Sequence, residues 1–110
     1  MDADVIKQEF QYEVDSFVDG MMFHHGTIVG VLKKSCRSDS DYRLVLKALT
    51  GKTSSKLLSP AEWHGLYKFV LPVKPEGDKW QSQRGDDLEK MCNALVLSMV
   101  DVPAQGRFAE

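Results

Sequence analysis

Ser59-Pro60-Ala61-Glu62-Trp63-His64-Gly65-Leu66-Tyr67-Lys68-Phe69-Val70 is the stretch that decides the fold class. Ser59 suits an N-cap, Pro60 the first helical position, and Glu62 completes a capping box three residues after the cap. Trp63, Leu66, Tyr67 and Val70 then recur on one helical face, and Pro72 ends the run. Off that stripe, His64 and Lys68 are expected to face solvent.

The same punctuation continues upstream. Ser38-Asp39-Ser40-Asp41 is a turn with a capping serine and two carboxylates near the positive end of a helix. Tyr42, Val45, Leu46 and Leu49 follow at helical spacing, and Gly51 is placed to stop the helix in the left-handed conformation. A shorter helix is expected from Thr27, with Ile28, Val31 and Leu32 on one face and Gly30 as a weak point. Met21-Met22-Phe23-His24-His25-Gly26 reads as a connector whose apolar residues must pack or offer a contact surface. Residues 3–18 form a first helix on the recurrence of Ile6, Phe10, Val14, Phe17 and Val18, with Gly20 ending it. Phe10, Tyr12 and Val14 also alternate as a strand would, so residues 10–14 are open to both readings.

Downstream, residues 72–85 contain Pro72, Pro75, Gly77 and Gly85 and read as a loop anchored by Trp80. A last helix spans roughly 86–100, with Asp86, Asp87 and Glu89 in its first turn. Leu88, Met91, Cys92, Leu95 and Met99 make its buried stripe, which Val96, Leu97 and Val100 widen. So wide an apolar face suits a central helix or a homodimer contact. Pro103 ends it, and a loose tail is expected beyond. The fold class is mainly α, a small helical bundle of four to five helices. With 110 residues it is one domain: an acidic N-terminal extension at 1–26, a helical module at 28–71 and the C-terminal helix at 86–100.

Composition is 43% hydrophobic and 27% charged, with no run of apolar residues long enough for a membrane helix. The N-terminus is acidic where a signal peptide would be basic, so a cytoplasmic protein with no membrane role is expected. Cys36 and Cys92 belong to no C-x-x-C pair and are expected as free thiols used as small apolar side chains.

Nothing in the chain assembles into a catalytic or metal site, and no cofactor is expected. Neighbouring His24 and His25 point in different directions and lack companions at zinc-ligand spacing. Gly51-Lys52-Thr53 ends like a phosphate loop, but Leu46 occupies the position of the first glycine and a helix precedes it. His64 has no nucleophile context around it.

Charge is the more informative signal. The net charge is −2, but the first 32 residues hold Asp2, Asp4, Glu9, Glu13, Asp15 and Asp19 against Lys7. Residues 33–56 hold Lys33, Lys34, Arg37, Arg43, Lys47, Lys52 and Lys56 against Asp39 and Asp41. The basic segment suits contact with phosphates, while the capped helix offers few groups that read bases.

Residues 28–71 also carry a resemblance. Asp41-Tyr42-Arg43, then Leu46 and Leu49-Thr50-Gly51-Lys52, then Ser54-Ser55-Lys56-Leu57-Leu58-Ser59-Pro60-Ala61-Glu62, with Leu66 and Phe69, are similar to the Gem-like regulators of Mu-type phages. The second half also resembles the C-terminal helical domain of phage single-strand annealing proteins. The 1–26 segment has no counterpart in the Gem-like pattern, and 72–110 matches it loosely. The resemblance implies a bacterial-host setting and DNA transactions, with no catalytic residues carried over. The expected function is a non-enzymatic accessory or regulatory protein in DNA metabolism, binding DNA or a DNA-processing protein through the seven basic residues. The alternative is an inhibitor of a host protein working through the six acidic residues of the N-terminal segment.

Overall fold

A computed structural model describes residues 2–21, 24–74, 77 and 79–100. The order is α1 (Ala3–Asp15), α2 (His25–Lys34), α3 (Asp39–Thr50), a single 3-10 turn at Ser55–Leu57, α4 (Pro60–Val70), β1 (Pro72–Val73), β2 (Gln81–Ser82) and α5 (Asp86–Met99). The protein is a small, mainly helical bundle of five α-helices. The expectations for Met22, Phe23 and the tail around Pro103 fall outside the described residues.

α4 packs against α1 and α2, and α5 packs against α3 and α1. One core runs through all five helices; Leu32, Val45, Leu46, Leu66, Val70, Leu88 and Leu95 are completely buried in it. α1 belongs to this core through Ile6 and Phe10. Residues 10–14 are helical: Phe10 and Val14 point inward one turn apart, while Tyr12 faces solvent at 69% exposure. The helix ends at Asp15, where Ser16 caps it and donates its hydroxyl to Glu13 O, so Gly20 lies beyond the end in a turn with φ 95°.

The caps follow the local signals. Ser38 Oγ accepts from Asp41 N–H at 3.1 Å, and Gly51 takes φ 78° at the end of α3. At α4 the capping box is complete: Ser59 Oγ accepts from Glu62 N–H at 3.2 Å, and Glu62 Oε1 accepts from Ser59 N–H at 2.8 Å. The Lys52 ammonium donates to the same carboxylate oxygen. Partial burial alone would push this carboxyl up, but the Lys52 and Ser59 donors outweigh it and hold it below the usual carboxylate range. A carboxyl depressed in the folded state stabilises fully above its unfolded value of about 4.3, and the contribution is lost as pH falls through the lower folded value. Glu62→Gln keeps an acceptor for Ser59 N–H and removes the charge. Thermal melts of the two proteins should therefore differ most near neutral pH and converge in acid. A gap that stays constant with pH would show that the carboxylate's charge contributes nothing.

Three expectations from the sequence need correction. His64 is 6% exposed, not on the surface. α4 is covered on two sides, by α2 over Trp63 and by α1 over His64 and Gly65, so its buried face is wider than one stripe. His64 Nε2 lies 3.6 Å from Glu13 Oε2 and its ring 5.8 Å from that of Phe17. Residues 72–85 are not simply a loop: β1 and β2 pair antiparallel, Pro72 with Ser82 and Val73 with Gln81. Trp80, 37% exposed, is not the anchor. The last carbonyls of α4 need donors. Ser82 Oγ supplies one to Val70 O at 2.6 Å, and Arg84 donates Nε to Phe69 O at 2.8 Å and Nη2 to Lys68 O at 3.2 Å. The third concerns α5: Met99, expected in its buried stripe, is half-buried, and Leu97 is 48% exposed.

Candidate functional site

The basic residues separate into distinct places. Lys33, on the last turn of α2, holds its ammonium 5.0 Å from the centre of the Tyr42 ring. Arg43, on α3, donates Nε to Asp39 at 3.0 Å, with both side chains more than 60% exposed. These two cations line one pocket of about 290 Å³ together with Asp39, Tyr42, Thr53, Ser54 and Ser55. Lys34 and Arg37 instead line a cleft toward α5, where Asp41, Glu89 and Lys90 give mixed charge. Lys47 is exposed on α3 one turn beyond Arg43, and Lys52 is committed to Glu62. Lys56 lines a third pocket, of about 510 Å³, with His25, Gly26, Val29, Ser55 and Trp63.

The 290 Å³ pocket is equipped for an anion. Lys33 and Arg43 bring two positive charges against one from Asp39, and the exposed Arg43–Asp39 pair is worth only about 0.3–0.5 kcal/mol, so a phosphate can compete for the guanidinium. Thr53, Ser54 and Ser55 add hydroxyl donors. Tyr42 is 5% exposed, and its hydroxyl, beside Ser55, is cut off from solvent without a well-formed hydrogen bond. Burial pushes that phenol up, so it stays neutral at physiological pH.

The acidic residues have a different distribution. Asp2 caps α1 by accepting from Asp4 N–H at 2.9 Å, Asp15 accepts from Gln11 at 2.8 Å, and Glu13 approaches His64. Asp4, Glu9 and Asp19 are exposed. Glu9 and Glu13 face Lys68 and Arg84 across a groove of about 510 Å³ between α1 and α4.

Cys36 and Cys92 are free thiols, half-buried and buried, that line one cleft between the α2–α3 turn and α5. The neighbouring Cys92 thiol pulls the Cys36 thiol down, while the neighbouring Cys36 thiol and burial push Cys92 up. Alkylation of the native protein should modify Cys36 first and spare Cys92 until unfolding, as read by peptide mass spectrometry. Equal labelling rates would contradict the assignment.

Among the described residues, no group of three His, Cys, Asp or Glu side chains is placed to hold a metal ion, and no helix is long and apolar enough to cross a membrane. No protein family, no curated protein and no solved structure matches the chain.

Sequence reasoning did not find Tyr42, His25, Trp63 or the 53–55 hydroxyls as part of a site. Tyr42 and Trp63 read as core, which they also are. A usable signal was the i, i+4, i+8 stripe His25–Val29–Lys33 on α2, which shares one helical side.

Proposed function

We propose that this protein is a non-enzymatic accessory factor in DNA metabolism that binds the nucleic-acid backbone through the Lys33–Arg43 pocket. The observation that carries the reading is that Lys33, Arg43, Thr53, Ser54 and Ser55 line one cavity beside the Tyr42 ring. Cations beside hydroxyl donors are the groups that hold phosphate oxygens. The likeness of residues 28–71 to Gem-like regulators supplies the DNA setting. A regulatory role, a DNA-processing partner and residence in the cytoplasm of a bacterial host are parts of the same proposal.

The inhibitor alternative has less to draw on. Asp2, Glu13 and Asp15 hold α1 together or meet α4, so half of the acidic set is engaged within the fold.

Fluorescence anisotropy with labelled DNA tests the proposal. Binding should saturate, and the logarithm of the association constant should fall linearly with the logarithm of salt, by about 0.7–0.9 per phosphate contacted. Absence of binding at micromolar protein and low salt would overturn direct DNA contact.

A further inference from the structure

We infer that the nucleic acid taken up is a single strand, laid along a groove between α2 and residues 53–56 with one base stacked on His25. The inference rests on the backbone-binding reading above and adds the strand class and the residue that selects it.

The 290 Å³ pocket and the pocket beside His25 share Ser55, so they lie side by side along α2 as two stations for one strand. The stripe His25–Val29–Lys33 forms one wall: His25 and Val29 line the second station and Lys33 the first. Residues 53–56 form the other wall, with Lys56 at the second station. His25 and Lys33 are eight residues apart on one helix, roughly 12 Å at 1.5 Å per residue.

The two stations differ in chemistry. At one end are cations and hydroxyls. At the other, the His25 ring lies flat on the Trp63 indole, with centroids 3.8 Å apart and planes 3° from parallel. Trp63 is 7% exposed and fixed in the core, whereas His25 is exposed. The indole therefore holds the imidazole as a shelf with its outer face open. Lys56 stands beside that shelf to meet a backbone phosphate. A flat ring next to cations is how single strands are held, because an unpaired base offers its π-face and a paired, stacked base does not. In a duplex, the phosphates could reach Lys33 and Arg43 but no base could reach His25.

The test compares anisotropy of three labelled probes at one salt concentration: an oligothymidylate, an abasic deoxyribose-phosphate strand of equal length, and a duplex. The oligothymidylate should bind about 5-fold or more tighter than the abasic strand, the effect of one stacked base. His25→Ala should bring oligothymidylate down to the abasic level and leave the abasic strand unchanged, while His25→Phe, which keeps a flat ring, should restore the preference. Equal binding of the oligothymidylate and the abasic strand, or indifference to His25→Ala, would overturn the stacking track while salt-dependent binding left the backbone reading standing. Failure of all three probes to bind would overturn both.

Discussion

Gly65→Ala should destabilise this protein, although placing alanine in a helix interior ordinarily stabilises it by about 0.5–1 kcal/mol. A Cβ on Gly65 would stand 2.7 Å from Val14 Cγ2 and 2.9 Å from Phe10 Cε2. Those are side chains of α1 wedged against the middle of α4, so the added methyl forces the two helices apart. Overpacking of this kind costs about 1–3 kcal/mol, and for a chain of this size each kcal/mol lowers the melting temperature by roughly 4–8 °C. Gly30 provides the opposite case. It lies inside α2, is exposed, and a Cβ there meets nothing within 4 Å. Gly30→Ala should therefore raise stability by about 0.5–1 kcal/mol. Adding Val14→Ala to Gly65→Ala should recover part of the loss, with a coupling on the order of 1 kcal/mol. Denaturant melts of the wild type, Gly65→Ala, Val14→Ala, their double variant and Gly30→Ala check this; a stabilised Gly65→Ala would mean that α1 does not sit on α4. For the same reason, removing residues 1–19 would strip Ile6 and Phe10 from the core and abolish folding. The acidic residues must therefore be tested by surface substitutions such as Glu9→Lys, not by truncation.

The double substitution Lys33→Glu with Arg43→Glu should abolish salt-dependent DNA binding while leaving the fold intact. Both side chains are exposed, and the Asp39 pairing lost with Arg43 is worth only a few tenths of a kcal/mol. The pocket would turn from two positive charges and one negative to three negative. Each phosphate contact removed lowers the salt slope by about 1, and affinity should fall on the order of 10-fold or more at low salt. Lys34→Glu with Arg37→Glu changes the net charge equally but acts on the cleft toward α5, and should cost far less. Circular dichroism of both variants checks the fold. Equal losses from the two pairs would mean that overall charge, not the pocket, governs binding.

Where a signal is local, the sequence is a reliable guide to this fold. The Ser59–Glu62 capping box, the Ser38 cap, the Gly51 stop and the acidic first turn of α5 each depend on residues within one helical turn, and each occurs as expected. What escaped reading depends on contacts between distant segments. His64 is buried because α1 folds back over α4. The β1–β2 pair is held by Ser82 and Arg84 on the carbonyls of α4, which no strand propensity announces. Of the candidate site, the sequence showed the cations but not their partition. Lys52 bonds to Glu62 ten residues away, and Lys34 and Arg37 turn toward α5. Lys33 and Arg43 meet in one pocket, and Lys56 lines the neighbouring one. The aromatic shelf was invisible because Trp63 and His25 lie on different helices.

Amide chemical-shift mapping during titration with an unlabelled oligothymidylate tests the account most directly. The shifted amides should cluster on α2 near His25, Val29 and Lys33, on α3 at Tyr42 and Arg43, and at residues 53–56, with α1 and the exposed face of α5 unmoved. Shifts confined to α1, or to the cleft around Lys34, Arg37 and Lys90, would contradict it.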